Sequence, residues 1–188
     1  MILDTSHGFN IIEIISQPDC KDFSCLFNGL EGTHLVNPSK GDVRKLLREH
    51  PERPLILSGH GDSNGLYNHM WNGYVITSRD VDLLRKQQAI IGIWCYAGNF
   101  ADKYNLTGFF TSMFISTEEE SVKEGLPAKQ EDISYESQLF CKRLNFLMKK
   151  CPEINKWPDI LRSKANIHKQ FVGFNYECLA YFNKTENL

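Results

Sequence analysis

The sequence predicts an α/β fold in which helices cover both faces of a mostly parallel central sheet. Strand-like and helix-like segments alternate through most of the chain, an order typical of βαβ units. Two short segments, Pro54–Ser58 and Ala89–Trp94, are almost continuously apolar, as strands are when a sheet is buried on both faces. The chain has 188 residues, 41% of them hydrophobic and 23% charged, which suits one domain over residues 1–188.

Apolar periodicity and turn residues predict the individual elements. The predicted strands are rich in apolar or β-branched residues: Phe9–Ser16, Leu55–Ser58, Ala89–Trp94, Gly108–Ser116 and Phe171–Phe182. The predicted helices carry an apolar stripe: Ser39–His50, Arg79–Lys86, Ile133–Lys150 and Trp157–Asn166. In the first of these, Ser39 is the expected N-cap, with Asp42 three residues later. Polar or glycine-bearing segments predict loops over 17–32, 62–77 and 118–132, the second with Asn72-Gly73 as a candidate hairpin turn.

Charge and cysteine usage exclude several classes of protein. The formal net charge is −2 and no basic cluster is present, so we expect neither a nucleic acid nor a membrane surface as partner. No apolar run approaches the ~18 residues of a membrane span, and the first residues lack the pattern of a secretion signal. The six cysteines are dispersed along the chain, which favours reduced thiols and a cytoplasmic location. We interpret all of them except Cys95 as structural.

Two reactive side chains directly follow the two apolar strands. His60 follows the first strand and precedes Gly61, and Cys95 follows the second. The carboxyl ends of parallel strands lie at one edge of an α/β sheet, where ligands and chemistry gather. A thiol attacks a carbonyl carbon well only as a thiolate, and a neighbouring imidazole can accept its proton and later return it. The pattern therefore predicts Cys95 as nucleophile and His60 as general base and acid. We expect the N–H groups of Gly61 and Cys95 to stabilise an oxyanion.

Simpler interpretations apply to each residue alone. A cysteine at the end of an apolar strand is usually only a small buried residue, and a histidine before glycine is often part of a turn. A zinc site formed by His60, His69 and Cys95 is an alternative, but its spacing matches no common zinc motif. The occurrence of both features at the ends of two buried strands favours the catalytic pair.

The order of these blocks resembles the caspase-like cysteine peptidases, the group that includes caspases, metacaspases, legumain, gingipain, clostripain and separase. The specific blocks are the apolar strand before His60-Gly61 and the apolar strand before Cys95. In motif order the resemblance covers about residues 9–121, including the helix before the first block and the strand that precedes the acidic residues at 118–120. It implies a three-layer caspase-like fold, a His60–Cys95 dyad that hydrolyses polypeptide substrates through a thioester, and no cofactor or metal.

The chain departs from that group where substrate preference is set. Many members carry an acidic residue just before the nucleophile, where it binds a basic P1 side chain (the residue whose carbonyl forms the scissile bond). Here those positions are Ile93 and Trp94, and the arginines by which caspases hold an aspartate at P1 cannot be placed. An alternative function is therefore a catalytically inactive caspase-like module that binds a regulatory protein partner.

Other residues are candidates for binding the substrate. Trp71 and Tyr74 are expected to line the substrate pocket, although a small local aromatic cluster would explain them equally well. Glu118, Glu119 and Glu120 could face a basic P1 residue, although most runs of charge are solvated surface. If these glutamates border the cleft, they predict a mild preference for basic over acidic P1 residues.

Overall fold

Nine strands form two sheets in the computed structural model, which describes residues 1–16 and 18–183 but not the side chains of residues 18–21. In chain order the strands are β1 (Phe9–Glu13), β2 (Gly32–Val36), β3 (Leu55–Ser58), β4 (Gly61–Asp62), β5 (Gly65–Tyr67), β6 (Tyr74–Thr77), β7 (Ile90–Ile93), β8 (Gly108–Phe110) and β9 (Ala180–Phe182). The larger sheet has the order β2-β1-β3-β7-β8-β9, in which the first five strands run parallel and β9 runs antiparallel. The smaller sheet is antiparallel, with the order β4-β5-β6. The α/β class and the mostly parallel sheet are thus confirmed.

Helical segments connect the strands. The α-helices are α1 (Lys40–Glu49), α2 (Val81–Leu84), α3 (Ala97–Lys103), α4 (Glu118–Lys123), α5 (Gln130–Lys150), α6 (Trp157–Arg162) and α7 (Gln170–Glu177). Shorter 3-10 segments cover Pro18–Phe27, Ser78–Asp80 and Ile154–Lys156. The N-cap predicted at Ser39 is confirmed, because the Ser39 side chain accepts from the Asp42 N–H. Asp42 also reaches back to the Ser39 backbone, so the two residues form a capping box. Within the described residues, no helix is both long and apolar enough to span a membrane.

Two buried clusters divide the apolar residues of the large sheet. Successive side chains of a strand point to opposite faces, so Phe9 and Ile11 belong to one cluster whereas Ile12 belongs to the other. The first cluster includes side chains of α5, α6, α7 and the 3-10 segment Pro18–Phe27. The second includes side chains of α1, α2 and α3. The parallel strands β3 and β7 contribute to both clusters, which explains why their sequences are continuously apolar.

Several segments differ from the sequence-based prediction. The loop predicted over 62–77 is wrong over Gly65–Tyr67 and Tyr74–Thr77, which are β5 and β6, although the candidate turn Asn72-Gly73 does lie between these two paired strands. The strand predicted over Gly108–Ser116 is confirmed only over Gly108–Phe110. The loop predicted over 17–32 is wrong over Pro18–Phe27, which is a 3-10 helix, although the placement of Gln17 lies outside the described residues. The loop predicted over 118–132 is wrong because Thr117 and Glu120 form a capping box that starts α4. The long strand predicted over Phe171–Phe182 is also wrong, since residues 170–177 form α7 and only Ala180–Phe182 pair with β8.

Candidate active site

His60 and Cys95 both lie at the carboxyl edge of the large sheet, after the adjacent strands β3 and β7. Ser58 of β3 is in register with Ile93 of β7, and the two reactive residues each follow their strand by two positions. Both line one open pocket, whose empty space is about 450 Å³ when the solvent at its mouth is counted. The structure therefore brings together the two residues that the sequence singled out.

The backbone around His60 is held by the small sheet. Gly59, with φ +151°, lies so close to Ile14 that a Cβ atom would be 2.7 Å from the Cβ of Ile14, so the chain can turn here only with glycine. The carbonyl oxygen of His60 accepts a hydrogen bond of 2.9 Å from the N–H of Tyr67 on β5. These contacts fix the position from which the imidazole enters the pocket.

The turn after β7 places Cys95 next to the segment that follows β8. The Cys95 Sγ atom is 3.7 Å from the carbonyl oxygen of Phe114, which can accept a weak hydrogen bond from the thiol. The Thr111 hydroxyl donates to the carbonyl oxygen of Trp94 at 2.9 Å, and the Gly98 N–H donates to the carbonyl oxygen of Thr111 at 2.7 Å. Bonds on both sides of the half-buried Cys95 thus fix its backbone.

Of the two aromatic residues predicted to bind substrate, Trp71 contacts His60. Its ring centroid is 5.1 Å from that of His60, and 49% of the residue is exposed. Trp71 also packs against Tyr67, at 5.6 Å between centroids. Trp71 is not among the residues that line the pocket of His60 and Cys95, but its exposed indole beside the imidazole is available to a bound peptide. Its role in substrate binding stays a prediction.

Tyr74 instead belongs to a local cluster around Asp62. The hydroxyls of Tyr74 and Tyr67 donate to Asp62 Oδ2 at 2.9 and 3.0 Å, and neither tyrosine lines the pocket. Burial opposes ionisation of Asp62, but bonds from the Asn64 N–H and the two hydroxyls outweigh it and lower the pKa of the carboxyl. Burial and the Asp62 carboxylate raise the pKa of Tyr67 to about 12. The contacts of Tyr74 therefore agree with the simpler interpretation, in which it belongs to a local aromatic cluster.

Gly61 has a packing role that the sequence did not reveal. A Cβ atom at Gly61 would lie 2.4 Å from Cδ1 of Trp94 and 2.5 Å from the carbonyl oxygen of Gly65. Gly61 lies opposite Leu66, and the pair before it, His60 and Tyr67, is hydrogen-bonded. Because hydrogen-bonded and non-hydrogen-bonded pairs alternate along antiparallel strands, the N–H of Gly61 points away from β5. Its role as an oxyanion donor stays a prediction.

Glu13 is the site residue that sequence reasoning missed. It is the last residue of β1, only 6% exposed, and it lines the same pocket as His60 and Cys95. Its Oε2 lies 2.9 Å from Nε2 of His34 on the neighbouring strand β2. Burial raises the pKa of the Glu13 carboxyl, and the adjacent His34 opposes this rise. The sequence did carry one signal for Glu13, since an acidic residue ends a strand that is otherwise rich in isoleucine.

The three consecutive glutamates lie in the first turn of α4, and none of them lines this pocket. Glu118 and Glu119 are exposed. The Oε2 atom of Glu120 accepts hydrogen bonds from the N–H of Ser116 at 2.8 Å, the N–H of Thr117 at 3.2 Å and the hydroxyl of Ser116 at 3.0 Å. Glu120 therefore holds the start of its own helix, and binding of substrate by these glutamates stays a prediction.

We expect Glu120→Ala to lower the free energy of unfolding by about 1 kcal/mol, because the first turn of α4 loses its capping carboxylate. Glu119→Ala is the matched control, since this exposed neighbour should change stability by less than about 0.5 kcal/mol. Urea denaturation followed by circular dichroism measures both. Equal effects of the two substitutions would contradict the capping role.

The structure offers no support for the alternative zinc site. Within the described residues, no group of three or more His, Cys, Asp or Glu side chains is arranged to hold a metal ion. Cys25, Cys95, Cys141, Cys151 and Cys178 form no disulfide bond, whereas the Cys20 side chain lies outside the described residues.

Comparison with known proteins does not supply a function. No family model matches the chain, and no curated protein or solved structure matches it either. The function must therefore be inferred from the residues of the pocket.

Proposed function

We propose that this protein is a cysteine endopeptidase with a three-layer caspase-like fold, in which His60 and Cys95 form the catalytic dyad. One observation carries the proposal: the imidazole and the thiol follow adjacent parallel strands and line a single pocket. The distribution of helical side chains over two core clusters supports the three-layer arrangement. The substrate is a polypeptide.

Acylation begins when His60 accepts the proton of the Cys95 thiol. The thiolate sulfur attacks the carbonyl carbon of the scissile peptide bond, and the carbonyl oxygen becomes an oxyanion. The N–H groups of Cys95 and Gly61 are the donors that stabilise it. Protonated His60 then gives its proton to the leaving amine as the C–N bond breaks, which leaves a thioester on Cys95.

Deacylation repeats these steps with water as the nucleophile. His60 accepts a proton from water, the hydroxide oxygen attacks the thioester carbon, and the C–S bond breaks to release the carboxylic acid. The proton on His60 returns to the Cys95 sulfur, so the dyad is regenerated without a cofactor.

A peptidyl acyloxymethyl ketone tests the proposal, since a thiolate displaces its carboxylate only after the peptide has bound. We expect one label per protein molecule, on Cys95. Replacing His60 by alanine should slow the labelling at least about 100-fold, because a positioned base contributes about 10²- to 10⁴-fold. Intact-mass spectrometry and peptide mapping measure the rate and the site.

Cys25 is the thiol that most needs a control. Its hydrogen bond with Cys141 outweighs burial and lowers its pKa to about 7, so a small reagent such as iodoacetamide should also modify it. A Cys25→Ser variant should keep the peptidyl label on Cys95. Labelling spread over several cysteines, or a rate independent of His60, would overturn the peptidase proposal and favour the catalytically inactive interaction module.

A further inference from the structure

We propose that Trp71 is a positioning residue of the dyad, whose indole keeps the His60 imidazole in the orientation that proton transfer requires. This inference rests on the proposed peptidase function, and it extends the machinery of the dyad to the turn between β5 and β6. The two ring centroids are 5.1 Å apart, and the ring planes meet at 44°. Aromatic pairs are stabilising at such separations, so the indole restricts the rotation of the imidazole.

The backbone of Trp71, with φ +55°, lies in the left-handed region, which bulky residues rarely adopt. Among the described residues, four that are not glycine have a positive φ: Asn37, Trp71, Tyr96 and Asn105. Asparagine tolerates this region, whereas aromatic residues seldom occupy it. Of the two aromatic members, Trp71 contacts His60 and the other directly follows Cys95 in the chain. Such unfavourable backbone persists only where the surrounding structure enforces it, and it is concentrated at active sites.

Asn68 enforces this conformation by organising the turn that carries Trp71. Its carbonyl oxygen accepts from the Trp71 N–H at 3.1 Å, and its own N–H donates to the carbonyl oxygen of Gly73 at 2.8 Å. Its side-chain Oδ1 accepts from the N–H of Met70 at 3.1 Å and from the N–H of Asn72 at 3.3 Å. Bonds from both the backbone and the side chain of one residue thus close the turn, and they fix where the indole lies before any substrate binds.

Tyr67 packs against the same indole, with ring centroids 5.6 Å apart. Tyr67 is itself held in place, because its hydroxyl donates to Asp62 and its N–H donates to the carbonyl oxygen of His60. The indole therefore contacts two rings that belong to one hydrogen-bonded stretch of backbone. An imidazole rotamer that leaves the indole loses this packing and is less populated for that reason.

The location of the indole favours action through His60 over direct binding of the P1 residue. His60 lines the pocket, whereas Trp71 does not. Because 49% of Trp71 is exposed, a substrate can still touch it from outside the pocket. The experiment must therefore separate an effect on the dyad from an effect on binding.

The binding constant KI and the limiting rate kinact of the peptidyl acyloxymethyl ketone make this separation. Trp71→Asn removes the indole but keeps the turn, because asparagine tolerates a positive φ. We expect kinact to fall about 2- to 10-fold, the population ratio that corresponds to the energy of an aromatic pair, while KI stays within about 2-fold of the wild-type value. Trp71→Phe should restore most of kinact, since it keeps an aromatic ring beside His60. Phe146→Ala truncates an aromatic side chain that is 62% exposed on α5, so this matched control should change neither constant.

A double-substitution cycle shows whether the indole acts through His60. In a His60→Ala background no imidazole is present for the indole to hold, so Trp71→Asn should cause no further loss of kinact. A loss of the same size in both backgrounds would mean that Trp71 acts on the substrate or on general packing, and would overturn the inference.

Asn68→Ala is the second variant, needed in case Trp71→Asn does not fold. It leaves the indole in the chain but removes the side-chain oxygen that closes the turn. We expect kinact to fall within the same range, again only when His60 is present. In a folded Trp71→Asn protein the same substitution should add little, because both changes remove one contact. Thermal denaturation shows which variants are folded.

Three results would overturn the role of Trp71 alone. These are an unchanged kinact in folded Trp71→Asn, a raised KI with unchanged kinact, and an equal loss of kinact with and without His60. The second of them would assign the indole to substrate binding. Failure of the peptidase proposal looks different, and both proposals then fall: the ketone labels several cysteines, or its rate on Cys95 is independent of His60 while Trp71 is intact.

Discussion

Cys95→Ala should abolish peptide hydrolysis, with kcat lowered at least about 10³-fold, because the attacking sulfur is lost. Within the described part of the chain, Cys95 is the one cysteine that lines the pocket, so no other thiol there is placed to replace it. The fold should be retained, since the substitution removes one half-buried sulfur and its weak contact with Phe114. Progress curves with a P1-arginine substrate and thermal denaturation measure the two effects.

Cys178→Ala is the matched control for this experiment. Cys178 is also half-buried, but it follows α7 and does not line the pocket. We expect this variant to hydrolyse the substrate as the wild type does. A Cys95→Ala protein that is folded and as active as the wild type would exclude Cys95 as the nucleophile, whatever the control shows.

The centre of the sheet and the shared pocket of His60 and Cys95 could be predicted because their signals are local. Strands β3 and β7 are buried on both faces, so each appears in the sequence as an unbroken apolar run. A parallel sheet brings the carboxyl ends of its strands to one edge, which makes His60 and Cys95 neighbours once the two strands pair. Sequence order and burial together were sufficient for this part of the site.

The edges of the sheet could not be predicted in this way. Strand β2 lies at one edge with alternate residues exposed, and its Gly-Thr-His-Leu-Val sequence carries no apolar run. The segment from Phe171 onward is rich in aromatic residues that favour strands, yet residues 170–177 form a helix. Tertiary contacts decide this case, because α7 buries Phe171, Val172 and Tyr176 in the first core cluster.

The missed part of the site depends on contacts between distant segments. The sequence shows that Glu13 ends a strand, but only the pairing of β1 with β3 places its side chain in the pocket of His60. In the same way, Glu118, Glu119 and Glu120 are close to the strand β8 in sequence, but their helix keeps them out of the pocket lining. Proximity in sequence was a poor guide to which carboxylate lines the pocket of His60 and Cys95.

Asn175→Ala should lower the free energy of unfolding by about 2–6 kcal/mol, because it leaves two buried backbone groups without partners. Asn175 of α7 is 4% exposed, and its side chain bonds to both polar groups of the Ile115 backbone: Oδ1 accepts from the N–H at 2.7 Å and Nδ2 donates to the carbonyl oxygen at 3.0 Å. Each group left unsatisfied by alanine costs about 1–3 kcal/mol. Urea denaturation of the wild type and the variant, fitted with one shared m-value, measures the difference in the free energy of unfolding.

The same substitution should also slow the labelling of Cys95 by the peptidyl ketone. Ile115 lies between Phe114 and Ser116, which both line the pocket, and the Phe114 carbonyl oxygen is the group next to Cys95 Sγ. Asn99→Ala is the control: Asn99 is exposed on α3, its bond to the Ser112 hydroxyl is long at 3.4 Å, and alanine favours the helix. It should leave stability unchanged or slightly higher. A loss below about 1 kcal/mol for Asn175→Ala would mean that water or a backbone shift satisfies Ile115, and that the amide does not hold this wall of the pocket.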